Sequence, residues 1–403
     1  MKVTIISTTD EGGAGYAAKN LYLGFLAAGI GVSFLTVRDF QQPSRNPLKR
    51  LYNWWLVRKN ILDNFKLQQD PPPGYDYFTF ARTGYRNIHK HPLVKNADVL
   101  NIHWISNMVD YPSFFRKLGK PVIWTLHDTN PFTGGCHYNF GCELFRETCA
   151  SCKQLSAPVR DFAAKDNLRV KAESLVTLQP ARTIVVSPSR WLKSLSEKSA
   201  LFSRFRHENI PYGIDTDIFK PHDRDAARTK LGILPGQFAV LFVGTSLAEY
   251  RKGFDAVLGL KALLADEPGI VFLAAGKAAM PREGIINLGF IAEKDAVAQA
   301  YTAADCFLIP SREDNLPNTM LEALCCGCPV IGFAAGGITD AVIHGVNGFT
   351  VAKNDLAALK MHILRLKENP ELLNREAIAA AAGRKYALLN QAEAYLELAN
   401  IIR

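Results

Sequence analysis

Residues 306–337 read CFLIPSREDNLPNTMLEALCCGCPVIGFAAGG. The opening CFLIPS (306–311) is a near-continuous apolar run, as a strand covered on both faces requires. SREDNLPN is then the loop at that strand's carboxyl end, and a helix is predicted from about Pro317–Asn318 to Cys326. Gly327 supplies a left-handed cap, and Pro329 prevents the helix from continuing. PVIGFA (329–334) returns as a second buried strand ending at Gly336 and Gly337. Two buried strands joined through a helix make the unit of a parallel α/β sheet.

The same alternation runs outward in both directions. Towards the N-terminus come VTIIS (3–7), GVSFLTV (31–37), DVLNIHWI (98–105), PVIWTLHD (121–128) and TIVVSPS (183–189). A second series holds FAVLFVG (238–244), IVFLAAG (270–276), IINLGF (285–290), CFLIPS and PVIGFA, with helical patterns in the gaps. Two such sets predict two doubly wound, Rossmann-like α/β domains facing a central cleft. Pro211, Gly213 and Pro221 punctuate the polar stretch 207–223, where the boundary is expected. The expected organisation is a first domain over 1–205, a second over 206–385 and a closing segment, 386–403. That segment contains the amphipathic LNQAEAYLELANIIR and is predicted to pack back on the first domain.

The 403 residues suit about two domains, and 48% hydrophobic with 21% charged residues fits an ordinary globular chain. MKVTIISTTDEGG enters a strand pattern at once, without a basic leader or cleavage site, and no apolar run approaches the ~20 residues of a membrane span. The expected location is cytoplasmic, with a peripheral place at the inner membrane face left open. Lys and Arg exceed Asp and Glu by 47 − 38 = 9 charges. Phosphorylated substrates or an anionic membrane account for this better than nucleic acid, because zinc-finger histidine pairs, RNA-binding sheet signatures and lysine-rich tails are all missing.

In open α/β sheets ligands sit beyond the carboxyl ends of the strands. The amides from about Leu316 to Thr319 form the unpaired first turn of the helix, where its dipole favours an anion; Pro317 has no N–H to give. Glu322 lies one turn further in. A carboxylate is a poor partner for phosphate but a good acceptor for paired sugar hydroxyls. Phosphate on the amides and hydroxyls on the acids describe a nucleotide-sugar. A solvated helix cap is the plainer alternative.

The stretch resembles the signature of the retaining GT-B glycosyltransferases of family 4, and further matches span nearly the whole chain in order. That family carries two glutamates before its Gly-x-Pro-Val-Ile strand start; here the first position is Asp314 and the second Glu322. The resemblance implies that Glu322 holds the ribose hydroxyls and Asp314 the transferred sugar, with Glu313 as a substitute for the shorter arm. It places the backbone of Asn315, Leu316 and Asn318 near the sugar and diphosphate. YRKGFDAVL (250–258) matches a Lys-Gly whose lysine, here Lys252, pairs with the diphosphate. The family's arginine after the strand glycine is replaced by Thr245 and Ser246, leaving Arg251 as the second candidate cation. LGFIAEKDAVAQAYTAAD (288–305) matches the segment beside the base, so Phe290 and Ile291 are candidates. IPYGIDTDIFKP matches the interdomain linker, with Tyr212 where asparagine is common, and GGITDAVIHGVNGFTV (336–351) carries Asp340 at a frequent glutamate position.

In the first half, GGAGYAA (12–18) lacks the GxGxxG spacing. Gly13 and Gly15 either let the backbone approach the donor, as in the family, or simply form a tight turn. By resemblance His127, ending its strand, contacts the donor sugar. His103 either lines the same cleft or is a satisfied core residue, and Asp128 either orients His127 or caps the loop. The implied activity is a retaining hexosyltransferase that needs no metal for catalysis, with a UDP-sugar favoured as donor and a GDP-sugar next. The acceptor is a polysaccharide or lipid-linked saccharide, since TLHDTNPFTGGCHY resembles polysaccharide-building members. A phosphorylase or epimerase on the same fold, or a non-catalytic nucleotide-sugar-binding partner, are the alternatives.

Cys136, Cys142, Cys149 and Cys152 crowd into 17 residues. They read either as a tetrahedral structural zinc site, with His137 able to replace one thiol, or as four reduced thiols. Residues 46–65, NPLKRLYNWWLVRKNILDNF, set Leu48, Leu51, Trp55 and Leu62 on one helical face flanked by Lys49, Arg50, Arg58 and Lys59. That pattern fits a helix at an anionic membrane or one packed on the first domain.

Overall fold

The computed structural model describes residues 1–40, 46–48, 50–52, 54–55, 58, 62, 77–156, 159–277 and 284–403. Half of 46–65, including Lys49 and Lys59, lies outside them. The chain divides into two compact units, Met1–Pro211 with Gln391–Arg403, and Tyr212–Asn390.

The first unit is built on β1 (Lys2–Ile6), β2 (Gly31–Leu35), β3 (Val99–Ile102), β4 (Val122–Thr125), β5 (Thr183–Ser187) and β6 (Arg206–Asn209). All are parallel, in the order β2-β1-β3-β4-β5-β6. Successive side chains of a strand point to opposite faces, so the apolar runs feed two cores. Ile6, Leu100, Ile102, Trp124 and Val185 join Phe114, Phe132 and Phe202 on one face. Val3, Ile5, Val99, Ile123 and Val186 meet Leu21, Phe25, Tyr395 and Leu398 on the other. The second face is covered by the helices Gly12–Ala27 and Leu388–Ile402, whose Phe25 and Tyr395 rings meet edge to face at 6.5 Å. The predicted return of the C-terminal helix to the first sheet is therefore present.

β6 is an element that the sequence hides. His207, Glu208 and Asn209 of its RHEN fall in the polar stretch 207–223 where the boundary is expected, and the strand shows no apolar alternation. They pair with β5 at the sheet's edge, where the ladder hydrogen bonds, rather than burial, hold the strand.

The second unit holds β7 (Phe238–Ser246), β8 (Ile270–Lys277), β9 (Ile285–Gly289), β10 (Cys306–Ile309), β11 (Val330–Phe333) and β12 (Gly348–Val351). The order is β12-β11-β10-β7-β8-β9, again parallel. The halves are thus not copies of one winding. In the first unit, the winding reverses between β1 and β3, with only β2 beyond. In the second it reverses between β7 and β10, with three strands on each side. Such a reversal leaves a crevice at the carboxyl ends of the two strands involved.

Candidate active site

The loops at the second unit's switch point carry the predicted Arg251, Lys252, Asp314, Asn315 and Leu316, and the helix that follows carries Asn318 and Glu322. Tyr250–Lys252 forms a short 3-10 turn beyond β7, followed by the helix Phe254–Leu263. Pro310–Pro317 follows β10 and leads into the helix Asn318–Cys325, whose end is closed by Gly327 at φ 72°. The two loops come from neighbouring strands, so their charges meet. Lys252 Nζ lies 2.6 Å from Asp314 Oδ2, and an Arg251 guanidinium nitrogen lies 3.1 Å from the same oxygen. Arg251 also pairs with Glu249 at 2.5 Å and donates to the Glu313 carbonyl at 3.0 Å. Burial alone would raise the Asp314 carboxyl, but Lys252 and Arg251 together hold it below the usual range.

Gly336 explains how this loop is held. Its φ is 56°, and a Cβ there would stand 1.8 Å from the Asp314 carbonyl oxygen. Gly337 N–H donates to that oxygen at 3.0 Å. The glycines ending the quoted stretch therefore let β11's loop lie against Asp314.

Glu322 is buried in the helix Asn318–Cys325, and Tyr301 O–H donates to its Oε2 at 3.3 Å. Burial pushes this carboxyl up to about 7, with the Tyr301 hydrogen bond and Lys294 opposing. Asn315 and Leu316 are buried in the loop, and Asn315 Nδ2 donates to the Tyr212 hydroxyl at 3.4 Å. Asn318 opens the helix. Phe290 stands apart, exposed beyond β9 with Lys277 Nζ 4.7 Å from its ring centre; Ile291 is half-buried. Sequence reasoning missed Tyr301, which looks like any aromatic residue on a helix's apolar face.

In the first unit, Gly13 and Gly15 lie in the first turn of the helix Gly12–Ala27. A Cβ at Gly15 would meet the Thr9 carbonyl oxygen at 2.5 Å, so the chain's own backbone fills the space beside this glycine. His103 follows β3 and His127 follows β4, both buried. His103 Nδ1 is 2.9 Å from His127 Nε2, and His103 Nε2 is 2.7 Å from Asn101 Oδ1. Burial pushes His127 down to about 4 and His103 well below its ordinary value.

Asp128 serves a different histidine. Its Oδ2 lies 2.6 Å from His137 Nδ1 and accepts from Trp104 Nε1 at 2.9 Å. His137 Nε2 is 2.9 Å from Thr79 Oγ1, and Tyr77 packs on its ring at 4.5 Å. With both ring nitrogens engaged in this network, His137 is not a stand-in for a cysteine ligand. Cys136, Cys142, Cys149 and Cys152 line one cavity of about 370 Å³. Among the described residues, no group of three or more His, Cys, Asp or Glu side chains is placed to hold one metal ion.

Residues 237–369 match the family described as "Glycosyl transferases group 1". A D-inositol 3-phosphate glycosyltransferase of Actinosynnema mirum is 31% identical over 308 residues, 71% of this chain and 67% of that protein. One from Geodermatophilus obscurus is 33% identical over 186 residues, and there the match spans only about two fifths of each chain (41%). Among solved structures, HepE of Anabaena in complex with UDP and glucose matches with a TM-score of 0.65 at 17% identity, covering 99% of both chains. A sucrose-phosphate synthase from Thermosynechococcus elongatus matches at 0.67 and 16% identity, covering 99% of this chain and 98% of that one. The two parallel six-stranded sheets are those of the GT-B fold. The chain belongs to the group 1 glycosyltransferases, family 4.

Proposed function

We propose that this protein is a retaining hexosyltransferase that takes a sugar from a nucleotide-sugar, a UDP-sugar first and a GDP-sugar next, to a polysaccharide or lipid-linked saccharide. The observation that carries the reading is the meeting of Lys252, Arg251 and Asp314 at the β7/β10 switch point, with Glu322 one turn into the adjoining helix. Lys252, Arg251 and the first-turn amides of Asn318–Cys325 meet the diphosphate, Glu322 the ribose hydroxyls and Asp314 the transferred sugar. Asn315, Leu316 and Asn318 line the sugar and diphosphate, and Phe290 and Ile291 the base. In the first unit, His127 serves the transferred sugar, and Gly13 and Gly15 the donor side.

In the transfer, the acceptor hydroxyl oxygen bonds to the anomeric carbon while the bond from that carbon to the phosphate oxygen breaks on the same face. The departing phosphate oxygen takes the acceptor's proton. Lys252 and the amides stabilise the charge that develops on the diphosphate, and no metal is asked to do so. HepE, bound to UDP and glucose, supports a uridine donor as the first to try.

Thermal melting in the presence of UDP, GDP and their glucose and mannose conjugates tests this, because a ligand of the folded state raises the midpoint, and more so the tighter it binds at a given concentration. A rise with one nucleotide family, largest for its sugar conjugate, is expected. No rise with any of them would refute the reading.

Two accessory features belong to the proposal. The first is a structural zinc at Cys136, Cys142, Cys149 and Cys152, outside the chemistry of transfer. Gly134 N–H donates to Cys149 Sγ at 3.2 Å. A bond of this kind suits a thiolate, the form in which cysteine holds zinc. One zinc per chain, lost in Cys149→Ser, is the expected metal analysis; a metal-free protein with four titratable thiols would oppose it.

The second is attachment to an anionic bilayer. Leu48, Leu51, Trp54, Trp55 and Leu62 are at least half exposed, and the Arg58 guanidinium lies 4.5 Å from the Trp54 ring centre. No helix among the described residues is long and apolar enough to cross a membrane, so contact would be superficial. Co-sedimentation with phosphatidylglycerol vesicles should fall sharply in Leu51→Asp/Trp55→Asp. Equal binding by both proteins would rule this surface out.

A further inference from the structure

Arg312, in the loop after β10, grips the turn that carries Lys252 on both sides of that lysine. Its Nη1 donates to the Tyr250 carbonyl oxygen at 2.7 Å and to Asp255 Oδ1 at 2.9 Å. Its Nη2 donates to Asp255 Oδ2 at 2.5 Å, which completes a fork-to-fork pair. The guanidinium carbon lies 4.0 Å from the centre of the Tyr250 ring. The main chain adds a further bond, since Arg312 N–H donates to the Arg251 carbonyl oxygen at 2.8 Å.

Tyr250 opens the 3-10 turn that ends at Lys252, and Asp255 lies in the first turn of the helix Phe254–Leu263. Gly253, between them, has φ 73°, and a Cβ there would stand 2.1 Å from the Pro310 carbonyl oxygen. A side chain at this point would hold the two loops apart. The loops thus meet through Gly253 on Pro310, through Arg312 on Tyr250 and Asp255, and through Lys252 on Asp314. A diphosphate that draws Lys252 Nζ away from Asp314 breaks the last of these contacts and leaves the Arg312 contacts in place.

We propose that Arg312 is a positioning residue: it fastens the turn Tyr250–Lys252 to the loop after β10 and so fixes where the Lys252 ammonium stands, whether that ammonium faces Asp314 or a diphosphate. Arg312 acts through Lys252, because both of its terminal nitrogens are engaged by Tyr250 and Asp255. Lysine could not take its place, since a single ammonium does not present the planar fork that meets a carbonyl and both carboxylate oxygens together. The consequence for the diphosphate rests on the nucleotide-sugar reading; the fastening of the turn does not.

The test pairs a measurement of the turn with one of the ligand. Hydrogen–deuterium exchange of the intact chain at pH 7 reads the turn: amides of 250–256 should exchange about tenfold faster in Arg312→Gln, while those of 356–368 stay as in the wild type. Calorimetric titration with UDP, or with GDP if melting selects it, reads the ligand. Arg312→Gln should weaken binding about tenfold, within the range that coupled neighbours show. In a Lys252→Ala background the same substitution should cost less than about twofold, because the group it positions is gone. A residue that only stabilised the fold, or that touched the diphosphate itself, would cost the same in both backgrounds. Arg312→Lys should behave like Arg312→Gln. Asp255→Ala replaces a side chain that is 59% exposed, so the core is spared, and both readouts should move in the same direction as in Arg312→Gln. Unchanged exchange in a folded Arg312→Gln, equal losses in the two backgrounds, or full recovery in Arg312→Lys would overturn the proposal. If the wild type binds neither nucleotide while the turn opens in Arg312→Gln, the donor reading fails and the fastening of the turn stands.

Discussion

Replacing Glu322 with Gln is expected to make the protein more stable and a poorer binder of its donor. Burial pushes the Glu322 carboxyl up to about 7, against 4.5 for an exposed glutamate. A raised acid is a group whose neutral form the fold prefers. Its favourable contribution is complete below pH 4.5 and is lost as pH rises through 7, because the unfolded chain ionises freely and the buried carboxyl cannot. The rise from 4.5 to about 7 corresponds to about 3 kcal/mol at pH 8. Glu322→Gln removes that cost at nearly constant shape. Its advantage in urea unfolding should therefore be near zero at pH 4 and should grow to about 3 kcal/mol by pH 8.

Donor binding should change in the opposite sense. Two sugar hydroxyls need two acceptors, and an ionised carboxylate supplies them where an amide supplies one. Hydrogen bonds to a charged group contribute about 1.5–3 kcal/mol, so a ten- to hundredfold loss of affinity is expected for the variant. Wild-type affinity should climb through pH 6 to 8 as Glu322 ionises and then level off, whereas that of Glu322→Gln should be flat. Calorimetric titration with the nucleotide found by thermal melting measures both. An affinity indifferent to pH and to the substitution would remove Glu322 from the site.

The charge cluster gives the second large effect. Asp314 joins Lys252 at 2.6 Å and Arg251 at 3.1 Å, and only Lys252 of the three has appreciable exposure, 22% of its side chain. Removing one partner of a buried pair leaves the other charge uncompensated, which typically costs 3–5 kcal/mol. Asp314→Asn leaves two cations facing one another with Glu249 still on Arg251, and about 3 kcal/mol of destabilisation is expected after allowing for the solvent at Lys252. A diphosphate restores negative charge at the same place. Its stabilising effect on melting should thus be larger in Asp314→Asn than in the wild type. Lys252→Ala should instead slow transfer by roughly 10²–10³-fold, the usual cost of removing one donor from developing negative charge. Equal diphosphate shifts in the wild type and Asp314→Asn, together with unchanged turnover in Lys252→Ala, would mean that the cluster is a structural ion network and nothing more.

Strands β3, β4, β5, β10 and β11 were legible because a central parallel strand is buried on both faces and so must be apolar along its length. The polar β6 was not, because an edge strand takes its stability from one ladder of backbone hydrogen bonds that any side chain permits. The helix Asn318–Cys325 was legible at both ends because proline before it and glycine after it act on the local backbone alone.

For the candidate site, the sequence by itself determined which chemical groups stand at the ends of which strands: Lys252 after β7, Asp314 and Glu322 after β10, His103 after β3 and His127 after β4. Strand order decided what those groups do to one another. Because β7 lies beside β10, Lys252 and Arg251 share one oxygen of Asp314, 62 and 63 residues away in the chain. Because β3 lies beside β4, His103 and His127 share a proton, while Asp128, adjacent to His127 in sequence, turns to His137. Hydrogen bonds and ion pairs depend on separations of about 3 Å. Chain neighbours on a strand point to opposite faces, and only the packing of one strand against the next brings distant side chains within that reach.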